Sequence, residues 1–179
     1  TRGPERRYGA ILFIEKEGFM PLFNKVKLAQ RYDIAIMSTK GMSVTAAREM
    51  VDELCGEHDI PLLILRDFDK AGFSIAHTLA NDTDRYSFSN EIRMHDLGLR
   101  LDDVEAYELP RESVSYGKTN PEWNLRQNGA TEEEIAVLSH GWQVGEGYSG
   151  ERVELNAFTS DQLIEWIEGK IDDLGIKKV

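Results

Sequence analysis

An α/β fold, with a mostly parallel sheet flanked by helices and a carboxyl-terminal helical extension, is what three features of this sequence predict. Apolar runs of strand length recur, segments of helical periodicity alternate with them, and two of the runs end in carboxylates. Tyr8 to Ile14 (YGAILFI) and Pro61 to Leu65 (PLLIL) are unbroken apolar runs, as expected of strands buried on both faces.

Between and after these runs the elements follow in order. Glu17 to Gln30 reads as one helix, with Met20, Phe23, Val26 and Leu28 apolar and Pro21 in its first turn. Ile34 to Met37 is a short second strand. Ser43 to Leu54 is a helix in which Ala46, Ala47, Met50, Val51 and Leu54 recur at helical spacing. Ala71 to Leu79 is a third helix and Ile92 to Leu97 a fourth strand. This βαβαβαβ order predicts parallel strands joined by right-handed crossovers. Residues 110–130, with Pro110, Gly117, Pro121 and Gly129, are expected to be loop. Thr131 to Leu138 is a short helix with acids in its first turn, where the dipole favours them. Gly141 to Gly150 is expected to be a second loop, and Arg152 to Phe158 extended. Ser160 to Leu174 is an amphipathic helix with Leu163, Ile164, Ile167 and Ile171 on one face. The expected division is a core over residues 8–110 and an extension over 111–179 packed on it.

Composition bounds the function. Over 179 residues, 41% hydrophobic and 30% charged side chains fit a soluble globular protein with a sizeable core. The single cysteine, Cys55, excludes an internal disulfide framework and suits a reducing cytoplasm. No apolar run has the length of a membrane span, and the polar, basic start does not have the form of a secretory signal. The chain begins at Thr1, so we expect a piece of a longer protein. Its net charge is −11, and it is uneven: residues 1–100 hold 14 basic and 15 acidic side chains, residues 101–179 hold 7 and 17. A nucleic-acid binder normally shows a basic surface. If this chain meets DNA, the basic surface lies on another part of the protein, or a divalent cation bridges acid to phosphate.

The chemistry-bearing pattern is at the strand ends. ILFIEKEG places Glu15 at the carboxyl end of the first strand, and LRDFDKAG places Asp67 and Asp69 just beyond the third. In open parallel sheets the working edge is the carboxyl edge. If the first and third strands are neighbours, three carboxylates converge and raise one another's pKa, a conflict that a hard cation relieves. Carboxylate oxygens completed by water suit magnesium or manganese. Glu15 is also a candidate general acid or base. Each residue alone has a blander explanation. Asp69 precedes a helix and would cap it, and a lone strand-end Glu is ordinarily a solvated loop residue. The joint pattern of strand–Glu followed by strand–Asp-x-Asp-x-x-Gly carries the functional reading.

That pattern resembles the Toprim signature of topoisomerases, primases and some nucleases, a Rossmann-like fold. The likeness is closest to the A subunit of topoisomerase VI and the related meiotic double-strand-break protein. EKEGFMPLF (Glu15–Phe23), STKGMSVTAAR (Ser38–Arg48), RDFDKAGFSI (Arg66–Ile75) and RVELNAF (Arg152–Phe158) all look like stretches of that family. The resemblance implies magnesium held by Glu15, Asp67 and Asp69, a tight approach at Gly41, and a helix start close to the site at Gly72. It implies DNA as partner and admits a homodimer. Lys70 departs from it, standing where those relatives often have proline. Their nucleophilic tyrosine belongs to an upstream domain that has no counterpart in these residues. Tyr8, Tyr32, Tyr86, Tyr107, Tyr116 and Tyr148 are therefore given no catalytic role, and strand transfer by this chain alone is not expected.

Other residues receive structural readings. Glu17 and Glu154 are expected at the surface or in structural pairs, and Lys16 and Lys40 as solvated lysines. Arg48 either meets a phosphate or pairs with an acid. The four histidines lack zinc spacing, and Trp123, Trp142 and Trp166 are expected to pack the carboxyl-terminal region. Competing functions are a nuclease using metal-activated water and a non-catalytic metal-binding scaffold. A phosphatase of the haloacid dehalogenase type ranks below these, because its Asp-x-Asp ordinarily follows the first strand.

Overall fold

The computed structural model of the protein describes residues 8–38, 44–56, 58–84 and 86–179. Contacts divide the chain into two units, Thr1–Leu65 with Thr78–Leu97 and Ser160–Val179, and Arg66–His77 with Gly98–Thr159.

The first unit holds the predicted sheet. Strand β1 (Ala10–Ile14) is buried along its whole length. After a 3-10 turn at Glu17–Phe19 come α1 (Met20–Lys25), α2 (Leu28–Tyr32) and β2 (Ile34–Ser38). Helix α3 (Val44–Val51) runs into a widened π-type turn at Asp52–Gly56, followed by β3 (Leu62–Leu65), helix α4 (Lys70–Ala80) and β4 (Met94–Asp96). The strand order is β2-β1-β3-β4 and every pair is parallel. The first and third strands are thus neighbours, with Ile14 opposite Leu65.

The single helix expected over Glu17–Gln30 is broken. Lys27 takes a left-handed conformation (φ 55°) between α1 and α2. On one continuous helix Phe23 and Leu28 would point about 140° apart. The break lets both be buried. The helix expected over Ser43–Leu54 likewise gives way to the widened turn after Val51, which keeps Ala47, Val51 and Cys55 buried. Burial pushes the Cys55 thiol up to about 11, so it is an unreactive core thiol.

Arg48 is a structural residue. It is 3% exposed, donates to Thr83 Oγ1 (2.8 Å) and the Asn81 carbonyl (2.5 Å), and lies over the Tyr86 and Phe88 rings. Beside it the Asp52 carboxylate accepts from the amides of Ser89 (2.7 Å) and Asn90 (3.1 Å) and from Asn90 Nδ2 (3.0 Å). The last helix, α8 (Ser160–Asp173), buries Leu163, Trp166, Ile167 and Ile171, so Trp166 takes the place expected of Ile164. Tyr32 Oη donates to Asp172 (3.0 Å), while Arg31 and Lys178 both pair with Glu168.

The second unit departs more from expectation. It contains the amino-terminal turns of α4, then α5 (Leu101–Ala106), β5 (Glu112–Gly117), α6 (Glu122–Gln127), α7 (Glu132–Leu138), β6 (Trp142–Gln143) and β7 (Gly147–Arg152), ending in a 3-10 turn at Leu155–Ala157. The antiparallel sheet β5-β7-β6 occupies stretches expected to be loop. Strand β5 reads ESVSYG and has no fully buried position, so it lacks the apolar alternation that marks a strand. The glycines of 141–150 serve a hairpin: at Gly147 (φ 86°) a Cβ would lie 2.2 Å from the Gly117 carbonyl oxygen. Helix α7 is capped reciprocally by Thr131 and Glu134. Trp123 and Trp142 are 69% and 53% exposed, contrary to the expectation that they pack a core. Among the described residues no helix is long and apolar enough to cross a membrane.

Candidate functional site

The Asp-x-Asp loop of the second unit is held from three sides. Arg66, 2% exposed, stacks its guanidinium 3.7 Å from the Phe73 ring centre and donates to the carbonyls of Asp67 and Leu99. A Cβ on Gly98 would fall 2.1 Å from Arg66 Cγ, so that glycine makes room for the buried arginine. Phe68 exchanges both backbone hydrogen bonds with Val153, at 2.8 and 3.0 Å. Asp67, 7% exposed, accepts the backbone N–H of Leu155 on Oδ1 at 2.7 Å. The RVELNAF segment is therefore the support on which the loop rests, part bridge and part 3-10 turn rather than extended throughout.

Asp69 is half-buried and its Oδ1 accepts the Gly72 N–H at 2.6 Å. The capping explanation of this residue is thus real. Beside it lies a cavity of about 310 Å³ lined by Asp69, Lys70, Ala71, Ser74, Tyr116 and Arg152. Tyr116 donates its hydroxyl to the Leu138 carbonyl at 2.9 Å. Burial, reinforced by the charge of Asp69, pushes its phenol up to about 12. Burial works against the charge of Arg152, but its hydrogen bond to Glu112 and the charges of Glu154, Glu112 and Asp69 outweigh it and raise its pKa. Arg152 Nε is buried and has no hydrogen-bond acceptor among the described residues.

Glu15 belongs to the first unit, where it is the exposed residue following β1. Among the described residues no group of three or more His, Cys, Asp or Glu side chains is arranged to hold a metal ion. The two aspartates still suit magnesium chemically, since that ion is commonly held by one or two carboxylates and keeps several waters. The amide on Asp67 Oδ1 fixes that carboxylate's orientation. Gly72 permits the close helix start expected of it: a Cβ there would lie 2.6 Å from the Asp67 carbonyl oxygen. Glu154 pairs with Arg152 (3.3 Å) and accepts from Asn156 (3.0 Å), a structural role as expected. Glu17 is exposed and Lys16 half-buried, while Lys40 and Gly41 lie outside the described residues. Tyr116 and Arg152 are the members that sequence reasoning missed. Arg152 opens the RVELNAF motif and could have been found there, whereas nothing local marks Tyr116.

A four-stranded parallel α/β sheet flanked by helices, with an acidic Asp-x-Asp loop directly following β3, defines a Toprim-type domain. The family model for the Toprim domain of the topoisomerase 6 A-subunit/Spo11 group matches residues 10–164, and the chain belongs to that family. Over 110 residues it is 27% identical to the A subunit of the type 2 DNA topoisomerase 6 of Methanocaldococcus jannaschii, a match covering 56% of this chain and 28% of that protein. The chain thus corresponds to under a third of that relative's length. The resemblance read from the sequence motifs is borne out.

Proposed function

We propose that this chain is the magnesium-binding Toprim part of a topoisomerase VI A-like protein that acts on DNA phosphodiester bonds. Asp67 and Asp69 hold the ion with Glu15, and manganese can take its place. The nucleophile comes from a different domain. The bound ion supplies charge neutralisation at a phosphoryl oxygen. Glu15 would exchange a proton with the leaving oxygen, and the protein works in the cytoplasm, where it can pair as a homodimer.

The observation that carries this reading is the buttressing of Asp67. A carboxylate 7% exposed, aimed by a backbone amide 88 residues away, is a costly arrangement for a mere loop residue. The register of β1 with β3 adds support: Ile14 pairs with Leu65, so the chain leaves both strands from one sheet edge, with Glu15 next after Ile14 and Asp67 two residues after Leu65. Magnesium titration of the wild type against Glu15→Gln and Asp67→Asn, by calorimetry and thermal shift, tests it. Saturable stabilisation that both variants lose is the expected result. A wild type indifferent to millimolar magnesium and manganese would sink the proposal.

A second reading, a non-catalytic scaffold, draws on the acidic excess of residues 101–179, which repels DNA. A nuclease is a variant of the first, with activated water replacing the nucleophile. Full-length protein assayed for covalent DNA attachment against simple hydrolysis separates the three.

A further inference from the structure

We infer that the exposed aromatic face of the second unit, built on Trp123, Trp142, Tyr148 and Val144, is a docking surface for a protein segment rich in arginine or lysine. No part of this face belongs to the Asp-x-Asp loop, and its role does not depend on the metal reading.

Indoles ordinarily pack inside a protein or stand at interfaces. Trp123 is 69% exposed and Trp142 53%, whereas Trp166 is buried in α8. Val144, 94% exposed, lies in the turn between β6 and β7. The segments that carry these groups are tied together. The Glu122 carboxylate, next to Trp123, accepts from Ser139 Oγ (3.2 Å), and that oxygen accepts the N–H of Gly141 (3.3 Å), next to Trp142. Trp142 pairs with Tyr148 across the hairpin, and their rings meet edge to face at 5.3 Å. The hairpin is closed by the Glu146 N–H, which donates to the Gln143 carbonyl (3.1 Å), and Gly147 packs against the end of β5. Aromatic side chains already held in place lose little freedom on binding, which makes them strong anchors.

Charge selects the occupant. Residues 118–151 carry six acidic side chains against Lys118 and Arg126. Arg126 is committed to Glu132 through bonds of 2.6 and 2.8 Å, whereas Glu133 and Glu146 are exposed. A nucleic-acid strand, an anionic lipid surface or a second copy of this chain, at net charge −11, would each bring like charge to this face. A cationic segment brings the opposite sign, and its guanidinium or ammonium groups stack favourably on indole rings. The carboxylates steer such a segment in and the indoles hold it.

The test follows binding of a short labelled peptide of alternating arginine and glycine to the whole chain, by fluorescence anisotropy and by acrylamide quenching of tryptophan. No magnesium is added, so the outcome is separate from the metal reading. Wild type should bind the peptide, lose affinity as salt rises, and shield its tryptophans from acrylamide. Trp123→Ala and Trp142→Ala, each first checked for an unchanged melting midpoint, should bind about tenfold more weakly, as expected of interface anchors. Trp142→Phe, which keeps a ring beside Tyr148, should lose less than Trp142→Ala. Glu146→Gln should weaken the salt dependence while the tryptophans are still shielded. Aromatic variants that bind like the wild type would reduce the attraction to bulk acidity and overturn the inference. So would a wild type that ignores the peptide, one that prefers oligothymidylate, or one that self-associates through Trp142 instead.

Discussion

The backbone N–H of Leu155 donates to Oδ1 of Asp67 at 2.7 Å, joining two segments 88 residues apart. This bond can be removed almost alone. Leu155 opens a 3-10 turn and Glu154 before it is extended (φ −93°, ψ 152°), a conformation that tolerates a following proline. Leu155→Pro deletes the donor, and Leu155→Ala keeps it while losing the same buried side chain. Both variants should lose about 2–5 kcal/mol of stability from the core. Only the proline variant should bind magnesium about 10- to 100-fold more weakly, as when a supporting partner of a metal ligand is lost. Calorimetry on both variants checks this. Equal magnesium affinity in the two would show that the amide does not aim the carboxylate.

Asp52 makes a prediction about acid. Burial works to raise its pKa, but the donors on Ser89 and Asn90 outweigh it and hold the carboxyl below its ordinary value. Between that depressed value and the ordinary one, the unfolded chain binds more protons than the folded one, so stability rises with pH there. The contribution is complete above the ordinary carboxylate range and is lost as pH falls through the folded value. Asp52→Ala should destabilise the protein by about 3 kcal/mol at neutral pH through stranded donors. It should also flatten the dependence of the urea midpoint on pH below about 4. A variant that keeps the wild-type acid slope would remove Asp52 as its source.

The parallel sheet was legible because each of its buried strands is a continuous apolar run, as YGAILFI and PLLIL show. The Asp-x-Asp loop was legible because its neighbours along the chain carry the motif. What could not be read depends on distant partners. Strand β5 exists through its ladder with β7, not through its own pattern. Nothing local in the sequence marks Arg66 as buried, yet it is 2% exposed because Phe73 and the absence of a side chain at Gly98 accommodate it. The relation between Asp67 and Leu155 is a backbone contact, and a backbone donor leaves no mark on residue type.

Tyr116 gives the alkaline counterpart. Burial and the charge of Asp69 hold its phenol protonated to about 12, against the ordinary value of 10.0. From the ordinary value upward the unfolded chain ionises first, so stability falls as pH rises toward the folded value. Tyr116→Phe should lose about 1 kcal/mol at neutral pH with the hydrogen bond to Leu138. It should then decline less steeply than wild type above about pH 10. Tyr32 and Tyr86 are also raised, so absorbance titration of phenolate should show several late tyrosines in the wild type, of which the variant lacks the one near about 12. A wild-type titration finished well below about 12 would contradict the burial of this phenol, the larger cause of its shift.

Gly72 sets two known effects against each other. It sits in the first turn of α4, where helix propensity alone favours Gly72→Ala by up to about 1 kcal/mol. A Cβ at this position, however, would meet the Asp67 carbonyl oxygen at 2.6 Å and Asp69 Oδ1 at 3.1 Å. The nearer of these atoms is backbone in a loop tied down by the Phe68–Val153 bridge, so it cannot yield cheaply. Overpacking of this kind costs about 1–3 kcal/mol, which exceeds the gain in propensity. Gly72→Ala should therefore lower the urea midpoint. It should also weaken magnesium binding more than its stability loss accounts for, because the displaced atoms belong to both aspartates. A more stable variant with unchanged magnesium affinity would mean that the loop has room the geometry denies.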